Sequence, residues 1–251
     1  MGSHCLGTER SNVSAFFEEL DYRPTPIGAL SLRRRREMLL GVDVIEIKLG
    51  EEFLMSSLFT VSEIALSNLG LAELDGGSPD VVVGGLGLGY TARTVLEHKN
   101  VNSLIVVDAL EAVIDWHESG LLPLGEGLTG DPRCSFRHGD FFALAASDDG
   151  FSPDEPGKKF DAILVDIDHS PEFFLDAQNA SFYQPEGLKK LTHHLRPGGV
   201  FGLWSNDRPD ERFIKRLEEV FDEARGEVVT FHNPLQNREA VQSVYLAKVA
   251  S

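Results

Sequence analysis

The chain has 251 residues, 42% hydrophobic and 25% charged, which is ordinary for a globular protein and long enough for a sizeable core. Forty Asp and Glu stand against 23 Lys and Arg, a net charge of -17, so attraction to a phosphate backbone is disfavoured and no nucleic-acid partner is expected. No apolar run reaches membrane-spanning length, the first residues lack a signal peptide's hydrophobic stretch, and Cys5 and Cys134 stand in no disulfide or metal-ligand spacing. The expectation is a cytoplasmic protein without a metal site or membrane contact.

Met1-Gly-Ser-His4 has the look of an expression tag and is set aside. Ser11 to Tyr22 predicts a short helix, with Phe16, Phe17 and Leu20 at helical spacing, so residues 1–22 read as a tail and helix. A small β-rich module follows over 23–58, with strands at Ile27–Leu32, Val42–Leu49 and Phe53–Met55 and a turn at Gly50-Glu-Glu52. The basic cluster Arg33–Arg36 falls in strand-like sequence. It reads first as a solvated strand edge and second as an anion or subunit contact. Thr60 to Leu71 predicts a helix with Val61, Ile64, Ala65, Leu66 and Leu69 on one face, and Gly76-Gly-Ser-Pro79 a loop.

From there strands and helices alternate, so that residues 59–251 read as one Rossmann-like domain. Val81–Val83, Ser103–Asp108, Cys134–His138, Phe160–Asp166 and Val200–Trp204 predict strands. Thr91–His98, Leu110–Glu118, Leu188–Leu195 and Asp210–Ala224 predict helices. Glu227–His232 and Val241–Lys248 complete the chain as a hairpin. The fold class expected is α/β: a mostly parallel seven-stranded sheet ending in an antiparallel hairpin, with the small antiparallel module ahead of it.

The most specific local signal is Gly85-Leu-Gly-Leu-Gly89 between the first of these strands and its helix. Glycines at 85, 87 and 89 permit unusual φ and close backbone approach to a ligand, and the helix start offers unpaired N–H groups. The spacing is G-x-G-x-G, since Tyr90 follows Gly89, and it points towards a ligand of the S-adenosylmethionine type over NAD. In an open α/β sheet ligands sit beyond the carboxyl ends of the strands, so the polar strand ends matter. Asp108, with Ala109 after it, stands about twenty residues past the glycines, where a carboxylate accepts from ribose hydroxyls. Gly139-Asp140 ends the next strand and suits an adenine amino group. Asp166-Ile-Asp168-His169 ends the fourth. Each has a bland reading: Asp108 and Asp140 also suit helix caps and Asp166 a turn.

On these residues the chain resembles the spermidine synthase family of class I S-adenosylmethionine-dependent transferases, from about Pro26 onward. Gly85–Tyr90 falls at that family's glycine turn, Asp108 at its ribose-binding carboxylate, Gly139-Asp140 at its adenine contact and Asp166 at its catalytic aspartate; Leu195-Arg-Pro-Gly-Gly199 matches a shared turn. The departures lie on the acceptor side. Leu88 stands where the family carries an aspartate, His169 where it carries a second carboxylate after the strand, and Met55, Ser56 and Ser57 where it has polar contacts. A desolvated polycation requires carboxylates to neutralise it, and several are missing.

The resemblance implies displacement at a carbon attached to sulfonium, with S-adenosylmethionine or its decarboxylated form as cofactor. The protein then chiefly aligns the reactants and supplies a base. Asp166 is the candidate to orient or deprotonate the nucleophile, and His169 a second candidate base, against the plainer reading of a loop histidine. Asp168 reads as solvated or turn-forming, and His193 and His194 as an outward helix end. The main reading is a methyltransferase acting on a small-molecule acceptor. The alternative is polyamine aminopropyl transfer, and a third reading is a catalytically silent nucleotide-binding or dimerisation protein. The resemblance also implies a homodimer through the amino-terminal strands.

Overall fold

The structure, a computed structural model, describes residues 16–25 and 27–251; Cys5, Met1–His4 and residues 11–15 of the predicted first helix lie outside them. The chain divides into two compact units that part between Leu58 and Phe59.

The first unit contains strands β1 (Phe17–Thr25), β2 (Gly28–Glu37), β3 (Val42–Leu49) and β4 (Glu52–Ser56), joined antiparallel in that order. The helix expected over 11–22 is therefore corrected: Phe17 onward is strand, with Phe17 opposite Arg35 and Tyr22 opposite Ser31. Cross-strand partners decide this. Glu18 accepts from Arg34, and the Arg33 guanidinium lies 5.6 Å from the centre of the Phe17 ring. The basic cluster is likewise not at an edge, because β2 is interior. Its charges are answered within the sheet, Arg35 donating to Glu46 and Glu37 at 2.6 Å each and Arg36 to Asp43 at 3.1 Å.

The second unit is built on β5 (Asp80–Gly84), β6 (Ser103–Asp108), β7 (Cys134–His138), β8 (Phe160–Val165) and β9 (Leu195–Ser205), all parallel. Strands β10 (Glu223–Asn233) and β11 (Arg238–Lys248) form the antiparallel hairpin, β11 lying on β9. The order β10-β11-β9-β8-β5-β6-β7 gives the mostly parallel seven-stranded sheet that the sequence predicts. From β5 the chain steps outward to β6 and β7, then crosses back to β8 on the other side. The loops after β5 and β8 therefore diverge, and such a switch point leaves a crevice at the carboxyl ends of the strands.

Both faces of this sheet are buried, which is why its strands read as unbroken apolar runs; Val81, Val82 and Val83 are all 0% exposed. Helix α1 (Val61–Ala72) packs on β8 and β9 from one face and against α2 (Tyr90–Glu97), with α3 (Glu111–Glu118) and the short α4 (Gly125–Thr129) further along the chain. Over the other face α5 (Phe141–Ala146), α6 (Pro185–Thr192) and α7 (Glu211–Glu218) bury an aromatic cluster, with Phe141 stacked on Phe151 at 5.0 Å and Phe213 edge-on to Tyr245 at 4.9 Å. Helix α7 stops at Glu218, short of the predicted Ala224, because β10 already pairs with β11 from Glu223.

The buried face of α1 differs from the expected one. Val61 and Ile64 are exposed, and the helix buries Ser62, Glu63, Leu66, Ser67, Gly70 and Leu71. Close approach explains the choice. A Cβ on Gly70 would stand 2.6 Å from Leu164, and one on Gly202 2.8 Å from Leu164 and 3.0 Å from Leu66, so two glycines let α1 settle onto β8 and β9. At the opposite end of the strands from the crevice, Arg196 of β9 bonds Asp161 and, at 2.7 Å, Asp80, tying the starts of β5, β8 and β9. Burial pushes the Asp80 carboxyl up, but bonds from Ser103, Asn102 and Arg196 outweigh it and hold it below its ordinary value.

Candidate active site

The glycine turn leaves β5 through Gly85 (φ 94°), Gly87 (φ 46°) and Gly89 (φ 92°), all in the left-handed region. A Cβ on Gly85 would stand 2.1 Å from the Asp166 carbonyl oxygen, so only glycine lets this turn pass so close to the end of β8. His117 of α3 supports the turn from below: its Nε2 bonds the Gly87 carbonyl at 2.9 Å, and a Cβ on Gly89 would meet its ring at 2.9 Å. His117 is fully buried, burial lowers its pKa, and its Nδ1 has no hydrogen-bond partner. It is a neutral imidazole donating through Nε2. Nothing in the sequence singled it out, since a histidine inside an apolar helix carries no motif.

Asp108 ends β6 with both oxygens engaged, Oδ2 accepting from the Leu86 amide at 2.9 Å and Oδ1 from the Leu110 amide at 2.8 Å. Burial raises its pKa, while the amides of Leu110, Leu86 and Gly87 favour the charged form. The carboxylate thus holds the glycine turn against the start of α3. Each oxygen keeps a further lone pair, which a vicinal diol can use. Ala109 is exposed beside it, its carbonyl 3.2 Å from His138 Nε2. The Gly139 amide donates to the Asp108 carbonyl at 3.0 Å, bringing the end of β7 alongside. Asp140 caps α5, its Oδ1 accepting from the Phe142 and Ala143 amides at 2.9 and 3.2 Å, and stays exposed. Of the two expected caps only Asp140 caps its helix, but amide bonding and ligand contact are compatible in both aspartates, because each carboxylate keeps acceptor sites.

Asp166 follows β8. Its amide donates to the Gly84 carbonyl at 2.8 Å, and its side chain accepts from the Thr91 hydroxyl in the first turn of α2 at 2.7 Å. Burial pushes its carboxyl up to about 6, with the Thr91 bond opposing. On α1 the buried Glu63 feels the charge of Asp166. Burial, and then the charge of Asp166, push its carboxyl up to about 8. Beside Glu63, the Ser62 hydroxyl stands 2.8 Å from Glu63 Oε2 and 2.6 Å from Gln242 Oε1, and Trp204 Nε1 donates to it at 2.8 Å. Sequence reading passed over Glu63 because α1 was judged by its apolar positions. The available signal was the small residues Ser62, Ser67 and Gly70, whose helical spacing marks a face in close contact.

The loop after β8 separates the remaining candidates. Asp168, expected to be solvated or turn-forming, is instead buried, and accepts from Tyr183 Oη at 2.8 Å, the Leu175 amide at 2.7 Å and Asn179 Nδ2 at 3.0 Å. It fixes the loop that follows. His169 packs its ring on Phe173, centroids 5.2 Å apart, and its carbonyl accepts from the Asn206 amide at 2.7 Å. His193 is exposed, but His194 is buried against Phe151, so only half of that pair faces outward as expected. Between the loops after β8 and β9 lies an open cavity of about 630 Å³, lined by Pro171, Glu172, Ser205, Asp207 and Arg208 among others. A second, of about 340 Å³ beside Glu118 and Cys134, involves none of the strand-end aspartates.

The Spermine/spermidine synthase domain matches residues 62–222, more than half of the chain. The chain belongs to the spermine/spermidine synthase family. Among relatives, it is 27% identical over 153 residues to polyamine aminopropyltransferase 2 of Pseudomonas aeruginosa, covering 59% of this chain and 41% of that protein. It is 31% identical over 125 residues to the polyamine aminopropyltransferase of Pyrobaculum islandicum, covering 48% and 39%. The matches thus span about two fifths of those relatives' own length. A crystal structure of spermidine synthase from Thermotoga maritima superposes with a TM-score of 0.69 at 18% identity, covering 92% of this chain and 72% of that one, which shows the shared fold. A spermidine synthase solved with the transition-state analogue AdoDATO gives the same TM-score, 0.69, at 17% identity.

The strand-end residues of this family member fit an adenosyl group. A turn free of side chains, a carboxylate with lone pairs left for a ribose and a second one exposed at the next strand end form a consistent donor set. At the family's aspartate position in the turn, Leu88 is 3% exposed and belongs to the core. Among the described residues no helix is long and apolar enough to cross a membrane.

Proposed function

We propose that the protein transfers an aminopropyl group from decarboxylated S-adenosylmethionine to an amine. The observation that carries this reading is the position of Asp166: half-buried, bonded to Thr91, against the glycine turn, its carboxyl pushed up to about 6. Membership of the family and the names of the curated relatives support aminopropyl transfer. Nothing comparable supports the methyl transfer that headed the sequence reading, and it gives way to the alternative.

When bound, the donor supplies a carbon already activated by its sulfonium, so the chain needs only to align and deprotonate. Gly85, Gly87 and Asp108 hold the nucleoside. The amine nitrogen forms a bond to that carbon as the carbon–sulfur bond breaks, and the electron pair leaves with sulfur as a thioether. Asp166 takes the proton the nitrogen must shed, and Thr91 fixes the carboxylate that receives it. A base titrating near 6 is mostly ionised at neutral pH yet not far from it, the range in which general bases work well.

Mass spectrometry of reactions with 1,3-diaminopropane, 1,4-diaminobutane and 1,5-diaminopentane tests this. Aminopropyl adducts formed one-for-one with 5′-methylthioadenosine are expected. Methylated products from S-adenosylmethionine, with no adduct from the decarboxylated donor, would return the reading to methyl transfer.

A further inference from the structure

A turn built of glycines has no side chains to hold its shape, so its backbone groups must find partners elsewhere. The Leu86 carbonyl accepts from the Gly89 amide and the Gly89 carbonyl from the Arg93 amide, both at 2.8 Å. The Leu86 amide donates to Asp108 at 2.9 Å, and the Gly87 amide bonds the same carboxylate. Among the described residues no backbone amide reaches the Gly87 carbonyl. It accepts instead from His117 Nε2, at 2.9 Å, in the last turn of α3. Gly87 is thus gripped twice, its amide by the aspartate just ahead of α3 and its carbonyl by the histidine near that helix's end.

His117 is itself closely held. A Cβ on Gly125 would stand 2.5 Å from the His117 carbonyl oxygen, so α4 packs directly on its backbone. Its ring meets Phe136 of β7 edge-on at 5.8 Å, and a Cβ on Gly89 would stand 2.9 Å from its Cε1. The residue is fully buried, and among the described residues its Nδ1 has no hydrogen-bond partner. An orphaned ring nitrogen carries a desolvation cost that leucine or phenylalanine in the same space would avoid. Packing alone therefore does not account for an imidazole here; the hydrogen bond to Gly87 does.

Gly87 is also the place where losing that bond matters. It sits at φ 46° and has no Cβ to restrain its peptide planes. Without Nε2 its carbonyl would be a buried acceptor lacking a donor, a state that a glycine peptide relieves by rotating. Rotation turns the carbonyl away from α3 and changes the backbone surface the turn offers a ligand.

We infer that His117 is a positioning residue for the donor: from behind the turn it holds the Gly87 peptide in the orientation that accepts the nucleoside, and so sets donor affinity. This deepens the aminopropyl-transfer reading and rests on it for the crevice being the donor's site. The effect on affinity is direct. If only roughly a tenth of the molecules keep the accepting turn, apparent affinity falls about tenfold.

Calorimetric titration of 5′-methylthioadenosine into the wild type, His117→Phe and His117→Gln tests this. Phenylalanine keeps a ring beside Phe136 but has no donor; glutamine gives up the ring and keeps a side-chain N–H for the Gly87 carbonyl. The glutamine variant should bind within about threefold of the wild type, and the phenylalanine variant about tenfold or more weakly. In turnover with decarboxylated S-adenosylmethionine, the donor KM of His117→Phe should rise by a similar factor, with kcat and the amine KM changed much less. Affinities equal in the two variants, or lower for glutamine than for phenylalanine, would overturn the inference and leave the donor reading standing. A wild type that binds no nucleoside removes the donor reading, and the inference with it. Nitrogen NMR of the wild type needs no variant to fold: a neutral ring carrying its hydrogen on Nε2 is expected, and a ring carrying it on Nδ1, unable to donate to Gly87, overturns the inference.

Discussion

The two sides of the crevice are built differently. On the proposed donor side Gly85, Gly87, Gly89 and Asp108 lie within one βαβ unit, and their contacts are chiefly backbone amides meeting a carboxylate. On the proposed acceptor side Thr91 reaches Asp166 across 75 residues of sequence, and in α1 Ser62 reaches Gln242 across 180. A cradle made of backbone depends on residue types that leave a local signature, glycines above all. A polar pocket assembled by tertiary packing leaves none. The donor side therefore tolerates little change in the chain's path, whereas the acceptor side can be retuned by single side chains carried on an unchanged fold.

The largest expected effect tests the acceptor side alone. Asp166→Asn should lower turnover by about a hundredfold or more while leaving donor affinity unchanged, because the base is lost and the nucleoside contacts remain. Steady-state rates with calorimetric binding check it; a proportionate loss of both would merge the two sides into one. Gly85→Ala should instead break both at once. The added methyl collides with the Asp166 carbonyl at a positive φ, and donor affinity and thermal stability should together fall by more than about 2 kcal/mol. Retained binding with a normal melting temperature would show that the turn has more room than this. Asp108→Ala should weaken nucleoside binding by about 1–3 kcal/mol through loss of charge-assisted bonds, some of it arising from a loosened glycine turn. An unchanged affinity would remove the ribose assignment.

The smallest effect concerns stability and pH. In the folded chain the Glu63 carboxyl is pushed up to about 8 from an ordinary 4.5, chiefly by burial. The folded state then binds more protons than the unfolded one across that interval, so stability contributed by the neutral form is fully present below about pH 4.5 and is lost as pH rises through 8. Melting temperatures of the wild type should decline between these limits by several degrees more than those of Glu63→Gln, which cannot ionise. Parallel curves would mean that Glu63 is already charged.

Much of this was legible in the sequence. The seven-stranded sheet, its terminal hairpin and the four polar strand ends follow from apolar runs and turns that act locally, and Ser103–Asp108 is a strand with those very bounds. Phe17 to Tyr22 misled because three apolar residues at helical spacing say nothing of a partner strand, and pairing with β2 decides the matter. Helix α1 misled for a related reason. Its apolar residues promised one buried face, but glycines on two elements select another, bringing Glu63 and Ser62 inward with it. Asp168 looks like a loop acid in one dimension and becomes buried only when Tyr183 and Asn179 fold over it.

The most direct test of the account is a crystal structure of the protein with 5′-methylthioadenosine and 1,4-diaminobutane. The account predicts ribose hydroxyls on Asp108, the adenine near Asp140, and one amine nitrogen within hydrogen-bond reach of Asp166. A nucleoside bound away from the glycine turn, or an amine held by other residues, would contradict it.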